Sequence, residues 1–128
     1  MRFQVIYSEA HGKHMIYPIT PVPKPRQTQS DKWKQRPSVM RYRAFADEVR
    51  LRRVKLPEES ARVVFHIPMP KSWSKKKKDF HNHRPHLQKP DVDNLFKALA
   101  DAIYSDDSHI WDVRITKLWS ETGMIEIE

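Results

Sequence analysis

Asp91 and Asp93, in the tetrapeptide DVDN at 91–94, stand two residues apart at the mouth of an apolar, helix-like run and directly after a cationic stretch. In extended backbone, side chains at i and i+2 share one side, so the two carboxylates can face one hard cation such as Mg²⁺ or Mn²⁺. The plainer use of the same residues is helix capping: an aspartate before an apolar helix is an ordinary N-cap, and acids in the first turn complement the helix dipole. Lys97 follows Asp93 by four residues and precedes Asp101 by four, which puts all three along one helical stripe. That stripe reads either as local ion pairing or as a lysine placed to stabilise charge developing on a phosphate. SDDS, at 105–108, offers a third carboxylate from Asp106 or Asp107 and otherwise reads as a turn. A calcium loop of the EF-hand type is excluded, because Phe96 stands where that loop needs glycine and Ala102 where it needs a glutamate.

The histidines are less informative. HNH at 81–83 spells the name of a nuclease class, but there the letters stand for residues dispersed through a metal site, so the contiguous tripeptide carries no weight. His81, His83 and His86 form a weak zinc set without cysteines beside them. The alternative is a mobile loop in which they join Lys75, Lys76, Lys77, Lys78, Arg84 and Lys89, with a charge that rises below about pH 6.5. Asp79 is the only acid between Lys71 and Lys89, and such an imbalance suits phosphate, since each neutralised phosphate releases counterions. Trp73 and Phe80 interleave the charges, either to stack on an unpaired base or to anchor the loop onto the domain.

The 128 residues suit one compact domain, 1–128, with basic loops at about 20–37 and 71–90. A net charge of +8 favours polyanions such as nucleic acid or an acidic membrane surface, and also serves plain solubility. The absence of cysteine excludes disulfides, thiolate catalysis and cysteine-rich zinc sites. No apolar run approaches the ~20 residues a membrane helix needs, and MRFQVIYSEA lacks the pattern of a signal peptide, so a soluble, intracellular protein is expected.

Several elements must position these groups. Residues 1–7 and 15–19 read as a strand pair around a turn at 9–12. TPVPKPRQTQSDKWKQRP at 20–37, with Lys24 and Arg26, reads as an extended loop. Ser38 is a plausible N-cap for a helix that buries Tyr42, Phe45, Ala46 and Val49 and turns Arg41, Arg43, Asp47, Glu48, Arg50 and Arg52 to solvent. ARVVFHIP at 61–68 alternates as a strand that Pro68 and Pro70 end. Val92, Leu95, Phe96, Leu99, Ala102 and Ile103 mark a second helix. Trp111, Val113, Ile115 and Trp119 alternate through a strand, and Glu121-Thr122-Gly123 turns it into 124–128 as a terminal hairpin. The expected architecture is α+β, two helices on a mostly antiparallel sheet.

KPDVDNLFKALADAIYSDDSHIWDV at 89–113 resembles the core of the RusA-type Holliday junction resolvases. The resemblance extends to PVPKPRQTQSDKW at 21–33, to PMPKSWSKKKK at 68–78 and to the closing IEIE, and so covers most of the chain, as in phage and prophage members. It implies a RusA-like fold and a homodimeric, Mg²⁺-dependent endonuclease that cuts four-way DNA junctions by paired symmetric nicks in a bacterial or phage-infected cytoplasm. By motif match, Asp91 and Asp93 fall on the first two acidic positions, Asp107 on the third, and Lys97 on the functional lysine. The connection from Ile103 to Asp106 is shorter than in members with several more residues there.

A helix from Asp93 to Ile103 is about 15 Å long, so Asp107 emerges at the end away from Asp91. Either the loop folds back beside the helix, or a twofold partner supplies its Asp107 to this chain's Asp91 and Asp93. Lys24, Arg26 and the Lys71 to Lys89 residues would then hold the DNA arms through phosphates. Two other readings stand beside this one. One is a metal nuclease preferring flaps or forks, and the other a non-catalytic nucleic-acid-binding module in which the aspartates only cap a helix.

Overall fold

The structure, a computed structural model, describes residues 4–8, 12–26 and 36–128. In chain order the elements are β1 (Gln4–Ser8), β2 (Gly12–Tyr17), α1 (Pro37–Leu51), β3 (Ala61–Pro68), α2 (Lys75–His81), α3 (Val92–Ile103), β4 (Val113–Ser120) and β5 (Met124–Ile127). They build one five-stranded sheet of order β1-β2-β5-β3-β4. β3 and β4 are parallel and the other three pairings antiparallel, so the fold is the expected α+β with a mostly antiparallel sheet.

Period-two alternation puts Val63 and Phe65 of β3 on the same side of the sheet as Ile125 and Ile127 of β5, and all four are buried. α1 covers this side with Phe45, Ala46 and Val49, and α3 with Leu95, Ala98, Leu99 and Ala102. Burying each large aliphatic or aromatic side chain there contributes about 1.5–3 kcal/mol, which is what fixes α3 on the sheet. Arg50 Nε donates to the Ala102 carbonyl at 3.1 Å, tying the end of α1 to the last turn of α3. α1 starts one residue before the expected Ser38 cap, with Pro37 in the first turn, where a missing N–H removes no helix bond.

Two expectations are corrected. The closing strands do not form a hairpin: β5 lies between β2 and β3, and β4 lies on the far side of β3. Ile125 and Ile127 are too apolar for an edge, and the central slot buries them. The connection at 121–123 therefore passes over the end of β3, where Gly123 runs so close to the chain that a Cβ would lie 2.7 Å from the Thr20 Cα. Because β3 and β4 are parallel, the chain between them must cross over, and it carries α2 and α3.

The basic segment at 71–90 is also not a mobile loop. Ser74 caps α2 by accepting from the Lys77 N–H at 3.2 Å. The chain then runs along the open edge of β4: His83 N–H donates to Trp119 O at 2.8 Å, Trp119 N–H to Arg84 O at 2.9 Å, and His86 N–H to Lys117 O at 3.1 Å. Four consecutive lysines hide this helix in the sequence. Earlier in the chain, buried Ile19 and Pro21 pin residues 20–26 against the core, while 27–35 of the other basic segment lie outside the described residues. Among the described residues, no helix is long and apolar enough to cross a membrane.

Candidate active-site cleft

Two chain segments that the sequence separates widely form a cleft of about 630 Å³. Lys24, Pro25 and Arg26 make one wall, and Asp91, Asp93, Asn94 and Lys97 of the α3 N-terminus make the other. Asp91 occupies the N-cap position in extended backbone, yet its side chain makes no capping hydrogen bond. Asp93 sits in the first turn, and both residues are exposed. Capping thus describes the position of Asp91 and not the use of its carboxylate.

The approach to Asp91 is held from below by β4. Lys117 Nζ donates to the Gln88 carbonyl and, at 2.8 Å, to the Pro90 carbonyl. Lys117 lies on the side of β4 that carries Val113, Ile115 and Trp119, so its ammonium reaches out from among apolar neighbours to these two acceptors.

On the cleft's lysine side, Asp101 Oδ2 accepts from Lys24 Nζ, and Lys97 Nζ lies 3.9 Å from the same oxygen. Lys24 Nζ also stands 5.7 Å from the centroid of the Tyr42 ring. The hydrogen bond to Asp101 raises the Lys24 pKa above the usual lysine value against the opposing effect of burial, with the charges of Asp101, Tyr42 and Asp107 adding to the rise. Lys24 is therefore a fixed cation at neutral pH.

The third acid is placed differently. Asp106 accepts from the Ser108 N–H at 3.0 Å, a turn bond that holds its carboxyl below the usual range. Asp107 is half-buried beyond the end of α3, whose 12 residues span about 18 Å. Among the described residues, no group of three or more histidine, aspartate or glutamate side chains is gathered closely enough to hold one ion. One chain thus brings together Asp91, Asp93, Lys97, Lys24 and Arg26 and leaves Asp107 outside a three-carboxylate cluster. The two exposed carboxylates alone are a fitting set for Mg²⁺, which keeps several waters and is commonly bound by one or two carboxylates with substrate phosphates.

The family model for endodeoxyribonuclease RusA matches residues 18–128, a span that takes in both walls of this cleft. The chain belongs to the RusA family. Its sequence is also 40% identical over 73 residues to the uncharacterized protein YqaN of Bacillus subtilis (strain 168), a match covering 51% of this chain and 51% of that protein. The chain spans about half the length of that curated relative.

In this RusA-family chain the cationic residues outside the cleft are mostly open to solvent: Lys71, Lys75, Lys76, Lys77, Arg84 and Lys89 are exposed and Lys78 is half-buried. Trp73 anchors α2, packing 4.8 Å from both Trp119 and His81, with Lys77 Nζ 4.3 Å over its ring. Phe80 stays 59% exposed and carries the Arg84 guanidinium 4.3 Å over its face, so of the two aromatics it alone is available to a base. The histidines diverge. His81 Nδ1 is 2.9 Å from Lys77 O, His83 takes a positive φ of 65°, and His86 is buried against Trp119.

Sequence reading missed two contacts at this cleft, that of Lys117 with the 88–90 segment and that of Asp101 with Lys24. Lys117 carried a signal, a lysine on the inward-facing register of an alternating strand. Asp101 was read on one stripe with Asp93 and Lys97, because nothing in one dimension brings Lys24 to it.

Proposed function

We propose that this RusA-family chain is a metal-dependent endodeoxyribonuclease that resolves four-way DNA junctions by paired symmetric nicks, as a homodimer, in DNA recombination and repair. The observation that carries the reading is the cleft itself: two exposed carboxylates face a wall that carries Lys24 and Arg26, in a chain of the RusA family. Phosphodiester hydrolysis needs both signs of charge at once, acids to organise the attack and cations to receive the charge that develops on the phosphate.

Asp91 and Asp93, with Asp107 as the third acid, would hold Mg²⁺ or Mn²⁺, which when bound polarises the scissile phosphate and acidifies a water. Asp91 and Asp93 orient the attacking water by accepting its hydrogen bonds. Lys97, on the same wall, neutralises the pentavalent phosphorane-like charge at its exposed ammonium. Arg26, the exposed Lys71, Lys75, Lys76, Lys77, Arg84 and Lys89 and the half-buried Lys78 contact backbone phosphates of the arms, so recognition rests on shape more than on base edges.

The test is cleavage of a labelled four-way junction, with Mg²⁺ or with chelator, by the native protein and by Asp93→Asn. Paired nicks that need the metal are expected, with a loss of roughly a hundredfold or more in the variant and junction binding unchanged or tighter. Binding without cleavage by the native protein, over a range of metals, would return the aspartates to helix capping. Faster cutting of flaps or forks than of junctions would keep the chemistry and change the substrate.

A further inference from the structure

Asp101 is the acid in this region that faces lysines and not the open cleft. One of its oxygens, Oδ2, accepts from Lys24 Nζ and lies 3.9 Å from Lys97 Nζ, and its side chain is three-quarters buried, at 23% exposure. The two lysines come from opposite walls. Lys97 stands on α3, one helical turn before Asp101, whereas Lys24 arrives from the extended 20–26 segment. Among the described residues, this ion pair is what joins the segment to α3 at the cleft; its other anchors are Ile19, Pro21 and Val22 in the core and the Arg36 Nη2 hydrogen bond to Arg26 O at 2.7 Å.

We infer that Asp101 is a positioning residue that clamps Lys24 to α3 and so sets both lysines, Lys24 and Lys97, at the phosphate-facing side of the Asp91 and Asp93 cleft. Lys24 is in this account a second group that touches the substrate phosphate, and Asp101 acts through it. A lysine side chain without such a partner spreads over many rotamers, and ordering it costs conformational entropy. A carboxylate that holds it in advance removes that cost from the transition state. The same contacts separate Asp101 from the cation-binding acids: its Oδ2 is already engaged by ammonium groups, whereas the Asp91 side chain makes no cap bond. Neutralising Asp101 therefore has opposite consequences for binding and for chemistry. It removes a negative charge from a DNA-facing cleft, which favours binding, and it releases Lys24, which slows the cut.

This inference rests on the nuclease reading, and its test has one arm that does not. Single-turnover junction cleavage and junction affinity in chelator are measured for the native protein, Asp101→Asn, Asp101→Glu, Lys24→Met and the Asp101→Asn/Lys24→Met double variant, each with its thermal midpoint. Asp101→Asn is expected to cleave roughly tenfold to a hundredfold more slowly while binding as tightly as the native protein or tighter. Asp101→Glu should recover most of the rate, and adding Lys24→Met to Asp101→Asn should cost no more. Native cleavage by Asp101→Asn, or losses that multiply in the double variant, would overturn the clamp while leaving the nuclease reading intact. The second arm uses no DNA. Acylation of lysines by an amine-reactive ester, read by mass spectrometry, should be slow at Lys24 in the native protein and faster in Asp101→Asn, and equal rates would overturn the clamp even if the protein cuts nothing.

Discussion

Asp91 sits at an N-cap without capping, and that separation of position from use is what leaves its carboxylate to the cleft. His86 shows the same independence from sequence neighbours. The expectation was that His81, His83 and His86 gain charge together below about pH 6.5, but His86 is 2% exposed and its ring lies 4.2 Å from Trp119. Burial, and after it the charge of Lys117, lowers the His86 pKa below the usual histidine value. The folded protein therefore binds this proton less readily than the unfolded chain does. Above about pH 6.5 both states are neutral at His86 and it has no effect; as pH falls below that value the unfolded chain takes up the proton first and stability declines, until the lowered folded pKa is reached. Denaturant unfolding of the native protein should weaken through this window, by at most about 1.4 kcal/mol per pH unit from this residue. His86→Phe, which keeps a ring against Trp119, should flatten that part of the profile, and an unchanged slope would show that His86 is not its source.

At the scale of elements, the cleft depends on a strand that contributes no residue to its lining. β4 holds the 88–90 segment through Lys117, and so sets where the chain stands when it enters α3 at Asp91. Lys117→Met keeps the aliphatic stem and removes the donor. It should lower stability by about 1–2 kcal/mol, in the range for a hydrogen bond to a charged group that is partly open to water. Junction cleavage should fall further than that loss explains, with binding retained, because the misplaced groups are acids and not phosphate contacts. Chemical denaturation and cleavage of the same preparations check it, and a variant that is less stable but cuts at the native rate would deny the strand this role. α2 follows the same logic. Its four lysines are ordered because Ser74, Trp73 and the edge of β4 fix the segment around them.

At the scale of the whole molecule, Asp91 and Asp93 stand at the start of α3 and Asp107 follows its end, near enough to the cleft residue Lys24 for its charge to help raise that lysine's pKa, yet the three acids form no single cluster among the described residues. A twofold partner that laid its own α3 antiparallel would bring its third acid to this chain's pair. On this proposal, mixing Asp91→Asn subunits with Asp107→Asn subunits restores one intact site per heterodimer, and with it nicking on one strand. If each site is complete within one chain, every site in the mixture carries a defect and no activity returns. Subunit exchange followed by a junction-nicking assay reads the difference directly.

Sequence alone determined most of the local structure. Period-two alternation defined Ala61–Pro68 as a strand, the spacing of Leu95, Leu99 and Ala102 defined α3, and D-x-D-N-x-x-K identified the acidic wall. These are short-range properties, set by the pitch of a helix or the pleat of a strand. Partnership between distant segments was decided only in three dimensions. The insertion of β5 between β2 and β3, the seating of 83–86 on β4, and the meeting of Lys24 with Asp101 across 77 residues of sequence all depend on which surfaces bury one another. Periodicity records that a residue has an apolar or polar side, but the identity of what covers that side is fixed by packing the whole core at once.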